Sequence, residues 1–420
     1  MIESVKYLII GGGVSGLMFA NKVGGDYLLL EKEGELGGFC KTLYQDGFTW
    51  DYAGHFFHFA DEEIKEFFKR NLADEHLIYK KKNTKIFFGT KVIDFPFQAN
   101  IHQLERCDFL DCLYDLYFRD ERDEYESFLA MLYGKFGVSI TEKFLKPYNE
   151  KLYACDLSDL DQDAMGRFFP YVDFGQVIKG FKEEYQQSYN STFMYPRGGA
   201  RVFVDALARN IEQERVALSE SVVKIDVEAK VVETNKRRLK YETLISTVPF
   251  PYLLNMIGGE YSAQSDRFSW NKVLVLNLGF DKKSTYQDLH WAYFPEDKYN
   301  FYRVGFYDNI LGQDRLSLYV EIGYSSEASV DISAELEKTL QGLAECGIIS
   351  DHELVSYAPI IMNPAYVHVN SQLDSVKKDI KERLRGCGIY SIGRYGDWKY
   401  CSIEDSMLDA VKLFGELSDT

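Results

Sequence analysis

The chain has 420 residues, 46% of them hydrophobic and 15% aromatic, with a formal net charge of −17. That length exceeds one ordinary core and suits two or three packed lobes, and the apolar content excludes a disordered chain. The acidic balance excludes a long nucleic-acid surface, so an anionic ligand would have to be held by a few local arginines.

The first element is the apolar run Tyr7-Leu-Ile-Ile10, which predicts a buried strand. A glycine turn follows at once, and a helix begins at about Val14 with Ser15 in its first turn. The spacing Gly11-x-Gly13-x-x-Gly16 is a dinucleotide fingerprint. Gly11 permits the tight turn, Gly13 lets the backbone approach a pyrophosphate, and Gly16 lets helix and strand pack closely. The helix N-terminus offers N–H groups and partial positive charge to phosphates. A second strand, Tyr27–Leu30, ends in Glu31, twenty residues after Gly11, where a carboxylate can accept from a ribose diol.

Lys32 and the pair Gly37-Gly38 follow, then strand patterning resumes at Thr42 and Phe48. The added glycine pair resembles the glutathione-reductase-like FAD enzymes, and within them the amine-oxidase branch. Next comes Gly54-His55-Phe-Phe-His58, whose β-forming surroundings keep the two histidines off one face, so no metal site is expected. This segment resembles the Gly-x-His-x-Phe-His stretch of the UDP-galactopyranose mutases, where it runs along the flavin near N5; His58 reads equally as a core histidine. Phe87–Phe97 predicts a strand and turn ending in Phe95-Pro96-Phe97.

Residues 101–155 switch to helical spacing (Leu104, Phe109, Leu110, Leu113, Leu116) and predict a helical insertion. It closes with Tyr148-Asn-Glu-Lys151-Leu-Tyr153, resembling a mutase segment that carries Trp where this chain has Tyr153; ordinary helix packing is the competing reading. A connection over 156–171 carries Arg167, and a helix is expected from about Gly175 to Tyr189. Pro196-Arg-Gly-Gly199 then opens a helix through Ile211. Val216–Val223, Val231–Thr234 and Tyr241–Thr247 predict a return to the first lobe, including Val223 as a cofactor contact.

From Lys272 to Tyr324 the period becomes two, and four strands predict an antiparallel sheet with Arg303 on one of them. Helices are expected at about 331–345 and 372–385, punctuated by Tyr357-Ala-Pro359 and Asn363-Pro-Ala-Tyr366. The chain closes with a strand, Gly393-Arg394, a loop bearing Tyr400, Cys401, Ser402 and Ile403, and a helix to about Leu417. This resembles the second FAD element of the same enzymes: Arg394 would pair with phosphate and the helix N-terminus would face the flavin pyrimidine.

The fold expected is α/β with α+β insertions. A discontinuous Rossmann-like FAD domain of glutathione-reductase type would comprise 1–85, 196–260 and 386–420, with a helical lobe at 98–190. An antiparallel substrate domain would comprise 86–97 and 265–385. The seven cysteines are an odd set without C-x-x-C, and read as free thiols in a reducing cytosol. No signal peptide precedes Tyr7 and no run of eighteen apolar residues occurs, so no membrane span and a cytoplasmic location are expected.

Separate motifs over most of the chain resemble the UDP-galactopyranose mutases. That resemblance implies a nucleotide-sugar pyranose/furanose mutase of cell-surface polysaccharide biosynthesis, active with reduced FAD whose N5 attacks the anomeric carbon. It admits NAD(P)H as reductant and a homodimer. It implies diphosphate contacts from Arg303, Tyr357 and Tyr400, an aromatic platform at Tyr153, and His55 near N5 with a pKa suited to proton traffic. Two departures stand out. Tyr171-Val-Asp173 replaces a second diphosphate arginine, with Arg167 as substitute, and Cys401-Ser402 replaces a tyrosine and an aspartate. The alternative is an oxidoreductase, resembling amine oxidases or protoporphyrinogen oxidase, that takes hydride onto N5.

Overall fold

The computed structural model describes residues 3–72, 77–183 and 191–418. The opening motif forms as expected: strand β1 (Glu3–Ile10), helix α1 (Val14–Val23) and strand β2 (Tyr27–Leu30). β1 pairs in parallel with β2 on one side and with Arg238–Ser246 on the other. Ile389–Ser391 joins Arg238–Ser246 in parallel, and the hairpin Val222–Asp226 with Val231–Thr234 adds an antiparallel edge. The parallel strands are nearly continuous apolar runs because helices cover the sheet: β2 is buried throughout, and α1 packs against the closing helix Ile403–Ser418.

A second sheet of seven strands orders as Leu354–Met362, Asn271–Phe280, Ser317–Ser325, Arg303–Phe306, Trp291–Tyr293, Thr84–Phe88 and Lys91–Asp94. Its longest strand, Asn271–Phe280, second from one edge, is paired on both sides and buried along almost its whole length. The four expected strands are present. The stretch expected to punctuate, Tyr357-Ala-Pro359, instead lies within the strand Leu354–Met362. Pro359 is tolerated because that strand is the sheet edge, where one row of N–H groups needs no ladder partner.

Between them stands a helical lobe: Arg106–Tyr117, Phe128–Ile140 and Lys146–Tyr153, packed on Phe97, Phe128 and Phe144. Ser127 caps the second of these by accepting from the Ala130 N–H at 3.2 Å. The helix expected at 175–189 is seen as Phe174–Gly180; residues 184–189 of that expectation lie outside the described residues. Asp173, expected to oppose a diphosphate, is the N-cap of this helix: it accepts from the Gln176 N–H at 2.8 Å within a capping box. Two helices unmarked in the sequence reading, Glu62–Asn71 and Phe250–Ile257, complete the layers. No helix among the described residues is long and apolar enough to cross a membrane.

Candidate active site

The three lobes surround one cavity of about 1100 Å³, beyond the roughly 300–1,000 Å³ of ordinary small-molecule sites. One arm is built by the opening motif. Gly11 sits at φ +102°, Gly37 at +122° and Gly38 at +57°, conformations that L side chains avoid. Gly11, Gly13, Val14, Ser15, Gly37 and Gly38 line the arm. Gly16 does not; a Cβ there would stand 2.0 Å from the Gly11 carbonyl oxygen, so its role is the close approach of α1 to β1. No side chain caps the α1 N-terminus, which leaves its first-turn N–H groups to a ligand. Glu31 lines the arm with its carboxylate accepting from the Gly12 N–H at 2.7 Å and the Glu33 N–H at 2.9 Å; the exposed Lys32 borders the rim.

The closing segment meets this arm. Gly393, Arg394, Ser402 and Ile403 line it. The Arg394 guanidinium donates to the Cys401 carbonyl at 3.0 Å and lies 4.8 Å from the Tyr400 ring centroid and 5.4 Å from that of Tyr366. Its Nε is buried with no hydrogen-bond partner among the described residues. A glycine cradle, an uncapped helix N-terminus, an acid and a buried guanidinium with an unpartnered Nε together fit a dinucleotide cofactor.

The other arm is aromatic. Gly54 and Gly305 both close on the Tyr319 ring, since a Cβ on either would fall within 2.5 Å of it. Tyr319 therefore ties the His55 loop to the strand that carries Arg303, whose guanidinium carbon is 6.0 Å from the same ring. Arg303 is held by Glu321: Nε and Nη2 donate to the carboxylate at 2.9 and 2.6 Å, and the Tyr302 hydroxyl donates to it at 2.7 Å. Tyr400 stacks on Tyr366 at 5.9 Å and 12°, and Tyr148 meets Tyr293 edge-on at 5.1 Å. Arg167, across the mouth, donates from Nη2 to both Asp405 carboxylate oxygens at 2.7 and 2.9 Å. Lys82 and His58 line the cavity beside Phe95; the Lys82 ammonium is 4.9 Å from the Phe95 ring centroid.

The electrostatics follow from burial. His55 is pushed down to about 4, first by burial and then by the Arg394 and Arg303 charges, and its Nδ1 is buried without a partner among the described residues. That shift keeps the imidazole neutral at neutral pH and lies below the near-neutral value expected for it. Burial also holds the phenols protonated: Tyr400 rises to about 12 and Tyr148 well above its usual range. They are donors, not bases.

Four expected contacts lie elsewhere. Tyr357 is 45% exposed on the edge strand, away from the cavity, because its alternate position faces outward. Val223 is likewise outward, and its neighbour Val222 lines the cavity. The Thr42 hydroxyl donates to Asp51 at 2.6 Å and accepts from the Arg201 N–H at 3.0 Å, a structural link between two chain segments of the cofactor lobe. Tyr153 is wholly buried behind the wall, edge-on to Tyr366 at 5.9 Å; Tyr148, five residues earlier, provides the exposed face in its place. Tyr148, Tyr293, Tyr366 and Lys82 are among the lining residues the sequence reading missed. Tyr148 and Tyr366 lay inside quoted segments, but among 30 tyrosines nothing in the spacing distinguishes a lining ring from a core ring.

A family model for flavin-containing amine oxidoreductases matches residues 14–303. The chain belongs to that family. Membership makes FAD the cofactor the glycine arm would hold, through Gly11–Ser15, Glu31, Gly37-Gly38 and Arg394. Among solved structures, reduced UDP-galactopyranose mutase is 24% identical, with a TM-score of 0.94 over 99% of this chain and 94% of that one. A candidate protoporphyrinogen oxidase from Exiguobacterium sp. 255-15 is 16% identical, with a TM-score of 0.80 over 99% of each. Cyclohexylamine oxidase from Brevibacterium oxydans IH-35A is 12% identical at 0.66, again over 99% of each. These likenesses show the fold. Over 54 residues, 12% of this chain, the sequence is 43% identical to an uncharacterized protein in the nifH2 3′ region of Methanothermococcus thermolithotrophicus. The match spans 52%, about half, of that curated relative.

Proposed function

We propose that the protein is a flavin-dependent mutase that interconverts the ring forms of a nucleotide-activated sugar, built on a glutathione-reductase-type FAD domain with the lobe boundaries read from the sequence. Bound and reduced, FAD supplies a nucleophilic nitrogen toward an anomeric carbon and is regenerated without net electron transfer. One observation carries this reading: the neutral His55 loop and Arg303 are clamped together on Tyr319 within a wall of protonated phenols. Hydride abstraction needs no such polar wall; orienting a polyhydroxylated ring does. Tyr148, Tyr366 and Tyr400 offer hydroxyl donors, the aromatic faces exclude water, and Arg303 pairs with the diphosphate. Arg167 and the Phe168–Tyr400 contact at 5.3 Å bring the helical lobe to the FAD lobe at the mouth.

The test is to reduce the flavin with dithionite, add UDP-galactose and a panel of other nucleotide sugars, and quench with cyanoborohydride. A covalent flavin–sugar adduct with at least one of them is expected. Multiple turnovers with the flavin kept oxidised would refute the mutase reading. The family match supports a second reading, an amine- or porphyrinogen-type oxidase, for which substrate alone should bleach the flavin anaerobically.

A further inference from the structure

We propose that Lys82 is a specificity-determining residue: its ammonium makes the cavity corner beside the His55 loop a subsite for an anionic group, so that the sugar taken there carries a carboxylate on its exocyclic carbon. The inference rests on the nucleotide-sugar reading above and names the class of sugar, a nucleotide-activated uronate.

Lys82 and Asn83 form the short connection between the strands Leu77–Lys81 and Thr84–Phe88, which belong to different sheets. The Lys82 N–H donates to the Ser191 carbonyl at 2.8 Å, and the Asn83 N–H donates to His290 Nδ1 at 3.0 Å. The place of the lysine on the cavity wall is therefore set by strand pairing on both sides. Its ammonium lies 4.9 Å from the Phe95 ring centroid, a contact that orients the charge without neutralising it. Phe95 in turn lies 5.2 Å from Tyr293, the register partner of Arg303. Phe56, between the two histidines, stacks on Trp291 of the same strand at 4.8 Å and 8°. Lys82, Phe95, Tyr293 and the His55–His58 loop thus form one corner of the cavity. His55 feels the Arg394 charge of the cofactor arm, so this corner borders the junction of the two arms. In the mutase reading the sugar, not the base, is the part that must reach that junction.

The corner selects by charge. Burial lowers the Lys82 ammonium to about 8, which leaves it charged at neutral pH. His58 is pushed down to about 4, first by burial and then by the Lys82 charge, and is neutral. A partly desolvated ammonium gains from a carboxylate a Coulomb attraction that a hydroxyl does not supply. Ring interconversion exchanges oxygens at the anomeric carbon and leaves the exocyclic carbon untouched, so a carboxylate there is compatible with the chemistry.

The experiment titrates the FAD-loaded protein calorimetrically with UDP and with two matched pairs, UDP-galacturonate against UDP-galactose and UDP-glucuronate against UDP-glucose. Within a pair the ligands differ only at the exocyclic carbon. Wild type should bind at least one uronate about tenfold or more tighter than its neutral counterpart, the scale of one charge-assisted hydrogen bond. Lys82→Met should erase that preference, and Lys82→Arg, which keeps the charge, should retain part of it. Equal binding within both pairs by wild type, or a preference that survives in Lys82→Met, overturns the proposal. If Lys82→Met fails to melt cooperatively, Lys82→Gln replaces it under the same criteria. Wild type that binds UDP without preferring either uronate sinks this proposal alone. Wild type that binds none of the five ligands sinks the nucleotide reading, and this proposal with it.

Discussion

The Tyr153 hydroxyl is buried and has no hydrogen-bond partner among the described residues, while its ring packs edge-on against Tyr366. An unsatisfied buried hydroxyl costs about 1–3 kcal/mol. Tyr153→Phe should therefore leave the protein as stable or stabilise it by about 1 kcal/mol in denaturant melts, with UDP affinity unchanged. The same change at Tyr148, which lines the cavity, should leave the melt and UDP affinity alone and weaken binding of the accepted nucleotide sugar roughly tenfold, about the 1.4 kcal/mol of one hydrogen bond. The contrast shows what residue-level reading missed. Helical spacing placed both tyrosines on one helix, but which of them faces the cavity depends on how Lys146–Tyr153 seats against the second sheet.

At the scale of elements, β1, its glycine turn and α1 form one rigid unit. The closest approach is at Gly16, where an added methyl would meet backbone, which cannot rotate aside. Gly16→Ala should push α1 off β1 and cut retained flavin to under about a tenth of wild type, read as visible absorbance per purified chain, with the far-ultraviolet dichroism largely kept. This unit was legible because each glycine does a different local job at fixed spacing. The strand Leu354–Met362 was not. Its proline argues against a central strand, and only the assembled sheet reveals that it occupies an edge. Tyr357, matched by motif, lies outside the site because it falls on the outward face of that strand.

Across the whole molecule, Asp51 is the knot. Its carboxylate accepts from the Thr42 hydroxyl, the Tyr195 hydroxyl at 2.8 Å and the Ala200 N–H at 2.9 Å, and its carbonyl accepts from the Asn277 amide at 3.1 Å, so it joins the cofactor lobe to the second sheet. Burial, only partly offset by these donors, raises its pKa from 3.8 to about 6. A folded-state pKa above the unfolded one means the contribution to stability is fully present below pH 3.8 and is lost as pH rises through 6. The loss approaches about 3 kcal/mol, from two pKa units at 1.36 kcal/mol each. Asp51→Asn keeps the shape and the acceptor toward Thr42 and Ala200, removes the titration, and puts an amide NH2 opposite the Tyr195 hydroxyl, which can rotate to accept from it. Its stability relative to wild type should therefore improve as pH rises from 4 to 7, measured by urea unfolding at each pH; a pH-independent difference would refute the assignment.

The sequence by itself determined the dinucleotide arm, the helical insertion and the period-two sheet, because each is encoded in local spacing: glycines at a turn, apolar residues at 3.6 or at 2; that the dinucleotide is a flavin came from resemblance. The resemblance also pointed to His55 and Arg303, which the fold brings to one wall. Only the tertiary structure decided their state. Burial makes His55 neutral, and Glu321, on a strand paired through sheet register rather than chain proximity, balances Arg303. Charge compensation and desolvation depend on what surrounds a group in space, and that is absent from the order of residues along the chain.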